Sequence, residues 1–189
     1  IFRRQPHVRV VMDEVLSIDR AARLIRLRDS RPIGFDVLIV APGSRHSYFG
    51  HDAWEESAPG LKTLADAVYL REKMLLAFEE AERRRMAIGT GERLTFVIVG
   101  GGPTGVELAG SLAEIGRKAM GPDFPNLRLN DLAILLVEGG SRVLPGFSPD
   151  LSEKAAAALK RKGVTIKLNS LVGEIRADGL MIGSEFVRS

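Results

Sequence analysis

The chain has 189 residues, and its 45% hydrophobic content is enough to bury the core of one large domain or two small ones. The formal net charge of +3 and the 6% aromatic content do not predict a nucleic-acid-binding surface. The absence of cysteine excludes disulfides and thiolate metal sites and suits a cytoplasmic protein, and no apolar run approaches the ~20 residues of a membrane-spanning helix.

The first part of the chain has the pattern of short antiparallel strands. Residues 7–14 alternate well enough for a strand, and two more strands are predicted at 15–19 and 23–28, with polar turns between them. The apolar run at 35–40 is different, because it predicts a strand that is covered on both faces and ends in the turn Ala41-Pro42-Gly43.

An aromatic loop and a long helix are predicted next. In the loop, Trp54 is expected to anchor packing, whereas His46 and His51 lie too far from other potential ligands to predict a metal site. The helix is predicted at 62–85, with Thr63 as its cap and Asp66 completing a capping box. One apolar stripe is expected to bury this helix, formed by Leu64, Val68, Leu75 and Phe78.

The strand at 95–99 leads into the spacing Gly-x-Gly-x-x-Gly, which is typical of a dinucleotide site. Gly100 would permit the tight turn, Gly102 would leave the backbone bare for a pyrophosphate, and Gly105 would let the helix pack closely on the sheet. Glycine triplets also occur in plain turns, but helical spacing begins directly afterwards. The predicted phosphate-binding residues are therefore Gly100, Gly101, Gly102, Pro103, Thr104 and Gly105.

The next strand, at 132–137, ends in Glu138 and Gly139. A carboxylate at this point can accept both hydroxyls of the adenosine ribose and repel a 2′-phosphate, which selects NAD over NADP. Glu138 lies 33 residues after Gly105, against about 20 in the usual pattern, and a proline-broken loop at 121–128 explains the excess. The alternative is a solvated acid at a strand end, and Arg142 could soften the NAD preference.

The last third completes an α/β pattern. A helix is expected from Ser148 and Pro149 to Gly163, a third parallel strand at 164–168 and a hairpin at 173–189 that turns at Asp178-Gly179. The predicted fold is a Rossmann-like domain with a parallel sheet, built on a βαβαβ unit at 95–168 and preceded by a β-meander.

The chain resembles the type II NADH dehydrogenases, flavoproteins that pass electrons from NADH through FAD to quinone. The most specific stretches are residues 46–54, 58–67, 96–110 and 142–145. The resemblance implies that residues 1–57 end the first segment of an FAD domain and that residues 58–189 are an NADH domain truncated at its end.

By the same resemblance, the FAD glycine motif, the quinone pocket and the membrane-attaching helices would lie outside this chain. The full-length protein would be peripheral on the cytoplasmic face of the inner membrane. The piece is expected to bind NADH without turning over by itself.

Two further site assignments depend on the resemblance. Glu107 corresponds to an acid near the contact of flavin and nicotinamide, with a role in quinone reduction or its proton supply; equally, it could merely complement the helix dipole. Ala41, Pro42 and Gly43 correspond to a segment, usually Ala-Thr-Gly, that borders the flavin. Pro42 removes a hydroxyl and an amide donor, which weakens the expected flavin contact, while Gly43 keeps the turn.

Other functions stay open at this point. One is another FAD- and NAD(P)H-dependent oxidoreductase, such as a ferredoxin-reductase-like enzyme; a thioredoxin-reductase-like protein should carry a Cys-x-x-Cys, which is absent. A second is a non-catalytic NAD-responsive binding module. Exposed strand edges could also pair two chains into a homodimer.

Overall fold

The computed structural model describes residues 4–43, 46–89, 93–119 and 122–189. The chain divides into two compact units, residues 1–44 and 45–189, and each is described by itself. The aromatic loop that begins at His46 thus belongs to the second unit. Among the described residues, no helix is both long and apolar enough to cross a membrane.

The first unit is an antiparallel sheet in the order β1-β2-β3. Its strands are β1 (Val15–Asp19), β2 (Leu24–Leu27) and β3 (Ile33–Gly34). Ile18 lies opposite Ile25, and Leu24 lies opposite Gly34. The strands expected at 15–19 and 23–28 are therefore confirmed.

Two other strands expected in this unit are absent. Residues 7–14 and 35–43 have no strand structure, and the side chains of Val37 and Ile39 are 83% and 86% exposed. The prediction of a covered strand at 35–40 is wrong for this chain. An apolar pattern of this kind is typical of a strand with paired neighbours and with other layers packed on both faces. Among the described residues no strand pairs with this segment, so Val37 and Ile39 stay exposed.

The second unit contains the parallel sheet, in the order β4-β5-β6. Leu94 lies opposite Leu132 and Ile134 opposite Val164, so the expected βαβαβ unit is confirmed. Its elements are β4 (Leu94–Val99), α2 (Pro103–Ala119), β5 (Leu132–Val137), α3 (Pro149–Arg161) and β6 (Val164–Lys167).

The core surrounds β5, where the Leu136 side chain is fully buried. On one face, Leu112 of α2 and Leu159 of α3 belong to the same buried cluster as Leu136. On the other face, Leu135 and Val137 pack with Leu180 and Ile182. Because both faces are covered, β5 is apolar throughout and its register is fixed, which holds Glu138 at the carboxyl end of the sheet.

The cover on the second face is a three-stranded antiparallel sheet rather than a single hairpin. Its strands are β7 (Val172–Arg176), β8 (Gly179–Ile182) and β9 (Glu185–Arg188). Arg176 pairs with Gly179, so the first turn consists of Ala177 and Asp178, one residue earlier than expected.

The long helix α1 (Leu64–Ile88) begins after the predicted capping box. The Asp66 amide donates to Thr63 Oγ1 (3.1 Å), and the Thr63 amide donates to Asp66 Oδ2 (2.8 Å). The predicted apolar stripe is wrong over the first half of the helix, where Leu64 is 81% exposed. Packing is concentrated near Phe78, which lies beside Phe96 and Phe124, and Met74 also contacts the main core cluster.

Candidate functional site

The glycine turn between β4 and α2 is tight at both ends. Gly100 has φ +105°, and its amide donates to the Val137 carbonyl (2.8 Å). A Cβ added to Gly105 would lie 1.9 Å from the Gly100 carbonyl oxygen. Glycine is therefore required at Gly100 by backbone conformation and at Gly105 by the close approach of α2 to the strand.

The middle of the turn is open. A Cβ added to Gly102 would meet no atom within 4 Å. The helix α2 starts at Pro103, so the first amides after it, those of Thr104 and Gly105, have no acceptor within the helix. Bare backbone and unpaired amides at the positive end of a helix dipole suit an anion such as a pyrophosphate.

Glu138 lies directly beside this turn. Its Oε2 accepts the Gly101 amide (2.6 Å) and its Oε1 accepts the Gly140 amide (2.7 Å). The long spacing from Gly105 does not displace it, because Val99 and Val137 are paired on adjacent parallel strands. The carboxylate is thus directed at the glycine turn.

The additional residues between α2 and β5 form part of the core. Phe124 and Leu127 are buried and contact the cluster around Phe78. A short 3-10 turn, Leu129–Asp131, then leads into β5. The insertion is consequently accommodated at the end of the sheet opposite Glu138.

The loop after β5 borders the same region. Gly139 is exposed, and a Cβ there would lie 2.9 Å from Cδ2 of Leu171, a side chain that is 76% exposed. The Arg142 guanidinium donates to the Pro145 carbonyl (2.8 Å). Arg142 therefore makes its hydrogen bond within its own loop.

A cleft of about 680 Å³ opens beside β4 and includes the glycine turn. Among the described residues, β4 pairs only with β5, so its other edge faces this cleft. The walls come from the aromatic loop, α1 and the turn after β7. Its charged lining side chains are Lys62, Lys73, Arg176 and Glu56.

The aromatic loop (residues 46–60) is held in place by specific contacts that the sequence did not reveal. The Tyr48 hydroxyl donates to the Ala58 carbonyl (2.8 Å), and His51 stacks on Trp54 with ring centroids 4.2 Å apart. The His46 imidazole fills the space over Gly60, where a Cβ would lie 2.3 Å from it. Burial raises the pKa of Tyr48. Trp54 thus packs against His51, and Tyr48 and His46 also hold the loop.

His46 and Asp66 join the loop to the start of α1, since His46 Nε2 lies 3.5 Å from Asp66 Oδ2. The amides of Thr63 and Lys62 lower the pKa of Asp66 to about 2, with a smaller contribution from His46. In the described part of the chain no three potential metal ligands come together. His46 thus contributes to the contact between the aromatic loop and the cap of α1.

Glu107 is not among the residues that line the cleft. Glu107 is exposed on α2 and borders a shallow groove between α2 and α3, near Glu114 and Lys162. Ala41, Pro42 and Gly43 belong to the first unit, where all three are exposed and Gly43 has φ +76°.

Comparison with known proteins identifies similar chains. The family model for pyridine nucleotide-disulphide oxidoreductases matches residues 1–186. Type II NADH:quinone oxidoreductase NdhA of Mycobacterium tuberculosis is 39% identical over 185 residues, which are 96% of this chain and 39% of that protein. Ndh of the same organism is 36% identical, over 96% of this chain and 40% of its own length. The chain thus spans about two fifths of these relatives.

Solved structures show the same fold. NDH2 from Plasmodium falciparum, in complex with NADH, aligns with a TM-score of 0.68 at 22% identity, covering 91% of this chain and 36% of that one. A ferredoxin reductase from Rhodopseudomonas palustris aligns with a TM-score of 0.63 at 20% identity, covering 94% and 38%. At these identities the likeness concerns the fold alone.

Proposed function

Because the chain belongs to the pyridine nucleotide-disulphide oxidoreductase family, we propose that residues 58–189 form the NADH-binding part of an FAD-dependent NADH:quinone oxidoreductase. The observation that carries the proposal is the bare backbone at Gly102, where an added Cβ would enter open space beside the first amides of α2. This is the shape and polarity that a dinucleotide pyrophosphate requires.

The residues present fit such a ligand. Gly101, Gly102, Pro103, Thr104 and Gly105 would surround the pyrophosphate, and Glu138 with Gly139 would hold the adenosine ribose. NADH, when bound, supplies the hydride that the flavin accepts, and the protein contributes binding and orientation. The cleft beside β4 provides room for the nicotinamide end.

Glycine substitutions test the binding site directly. Gly102→Ala should leave the thermal midpoint unchanged and weaken NADH binding at least tenfold, because the methyl group occupies the space for the pyrophosphate. Gly105→Ala should lower both the thermal midpoint and the affinity for NADH, since its methyl group would lie 1.9 Å from a backbone oxygen. Gly173→Ala, also in open space but on β7 and outside the turn, is the matched control. Unchanged NADH affinity in Gly102→Ala, measured by calorimetric titration, would contradict the proposal.

Glu138 is proposed to select NADH over NADPH. Each carboxylate oxygen accepts one backbone amide (2.6 and 2.7 Å) and keeps a second lone pair for a ribose hydroxyl. The negative charge would repel a 2′-phosphate, and the Arg142 guanidinium is engaged by Pro145.

Titration with both nucleotides tests this selectivity. Glu138→Gln keeps the size of the side chain, removes its charge and replaces one of its two acceptor oxygens with a donor, so the preference for NADH should fall about tenfold or more. Arg142→Gln should leave the preference unchanged. Equal or tighter binding of NADPH by the unmodified chain would refute the proposed role of Glu138.

The activity of the whole protein extends the proposal beyond this chain. The sequence relatives are NADH:quinone oxidoreductases at 39% and 36% identity, which supports quinone as the final electron acceptor. A peripheral position on the membrane is expected from the family resemblance alone. We expect flavin contact near Ala41, Pro42 and Gly43, and participation of Glu107 in the quinone reaction. Exposed strand edges would favour a homodimer.

Ferredoxin reductases are the alternative within the same fold class, since one of them aligns nearly as well. Spectra of the full-length protein separate the functions. Flavin that is bleached by NADH and reoxidised by quinone supports the proposed enzyme, whereas reoxidation by ferredoxin alone supports the alternative. Nucleotide binding without any flavin would point to a non-catalytic module.

A further inference from the structure

The backbone of Gly101 is held on both its amide and its carbonyl side. Its amide donates to Glu138 Oε2 (2.6 Å), and its carbonyl accepts the Leu144 amide (2.7 Å). Both partners belong to the connection between β5 and α3. The middle of the glycine turn is therefore fixed by a segment outside the glycine motif.

Leu144 makes this contact in a backbone conformation that leucine rarely adopts, with φ +51°. A left-handed residue with a side chain is strained, so it persists only where its surroundings enforce it. Here the neighbouring Val143 is 1% exposed and anchors the loop. The Leu144 carbonyl accepts two hydrogen bonds, from the Phe147 amide (2.9 Å) and from the Ser152 hydroxyl (3.2 Å).

Ser152 is an unusual residue at its position. It lies in the first turn of α3, is 2% exposed, and is the only buried polar side chain among the residues that the structure describes. A buried hydroxyl group destabilises the folded state unless it makes a hydrogen bond. The Ser152 side chain on α3 is thus connected through Leu144 to Gly101 in the glycine turn.

We propose that Ser152 is a positioning residue for the dinucleotide site: its hydroxyl fixes the Leu144 carbonyl, and the Leu144 amide in turn holds Gly101 so that the glycine turn is open before the pyrophosphate arrives. The inference rests on the proposed function, because it assumes that NADH binds at this turn. Its physical basis is preorganisation, since a turn that is already ordered loses less entropy on binding.

The direct test is Ser152→Ala, which removes one oxygen and keeps the shape of the buried site. We expect the NADH dissociation constant to rise about three- to tenfold, the range of one net hydrogen bond. Hydrogen exchange at the Leu144 amide, followed by NMR without nucleotide, should accelerate. Ser111→Ala, which removes an exposed hydroxyl from α2, is the control and should change neither quantity.

A second variant distinguishes positioning from a general structural effect. Asparagine adopts left-handed conformations more readily than leucine, so Leu144→Asn should reduce the dependence of the loop on Ser152. In the Leu144→Asn background, Ser152→Ala should raise the NADH dissociation constant less than twofold. An equal loss in both backgrounds would overturn the inference.

The outcomes separate the two proposals. If Gly102→Ala weakens NADH binding and Ser152→Ala does not, the positioning role is refuted and the binding site stands. If the unmodified chain does not bind NADH, both fail, even where exchange at the Leu144 amide is faster in Ser152→Ala. Slower or unchanged exchange at that amide refutes the positioning role whatever the affinity.

Discussion

Asp66 combines hydrogen bonding and charge at the start of α1. Its Oδ2 accepts the Lys62 and Thr63 amides (2.9 and 2.8 Å), and these bonds favour the ionised form. The pKa is therefore lowered from 3.8 to about 2. The carboxylate caps α1 and approaches His46, so it supports one wall of the cleft.

A depressed pKa means that Asp66 stabilises the fold above pH 3.8 and that this contribution is lost as the pH falls toward 2. Asp66→Asn should therefore be less stable than the unmodified chain at pH 7, and the difference should vanish near pH 2. Urea unfolding at a series of pH values measures it. Asp123→Asn, an exposed aspartate in the loop before β5, is the control; a constant deficit for Asp66→Asn across the series would contradict the prediction.

At the residue scale, the sequence could predict positions where only one residue type satisfies the backbone. Gly100 and Gly105 are such positions, since their conformation or contacts exclude a side chain. Leu144 is the opposite case. Its left-handed backbone and its hydrogen bond to Gly101 could not be predicted from the sequence, because leucine is not a residue typical of turns. Ser152 likewise reads as an ordinary helix-start residue until its burial is known.

At the element scale, α1 shows how far periodicity can mislead. Its capping box was predictable because the signal is local, confined to Thr63 and Asp66. The stripe through Leu64 and Val68 was not a burial signal, because burial depends on which part of the 25-residue helix the sheet reaches. Packing is concentrated near Phe78, which stacks on Phe124 with centroids 5.4 Å apart.

This difference predicts unequal effects of truncation along α1. Phe78→Ala should lower the free energy of unfolding by about 3–5 kcal/mol, as expected for a fully buried aromatic side chain. Leu64→Ala, at 81% exposure, should change it by less than about 0.5 kcal/mol. Urea titration followed by Trp54 fluorescence provides the comparison. Equal losses would mean that the first half of α1 is packed after all.

At the scale of the whole molecule, the resemblance to type II NADH dehydrogenases is confirmed by the sequence relatives, and the α/β fold by the parallel sheet. The βαβαβ unit could be predicted because its pairing partners are all within residues 94–167. The segment 35–40 could not, because its pattern is that of a strand whose partners are absent from the described residues. The apolar pattern of this segment predicts burial, whereas the side chains of Val37 and Ile39 are exposed in the structure.

Ile39 offers a test of that distinction. In this 189-residue chain it is 86% exposed, so Ile39→Lys should change the free energy of unfolding by less than about 0.5 kcal/mol. In the full-length protein, where we expect residues 35–40 to be a covered strand of the FAD domain, burying the lysine charge should lower both the thermal midpoint and the content of bound flavin. Leu129→Lys, in the exposed 3-10 turn before β5, should be tolerated in both. Full flavin content in the full-length Ile39→Lys variant would show that this segment stays uncovered there, and the assignment of residues 1–57 to an FAD domain would lose its physical support.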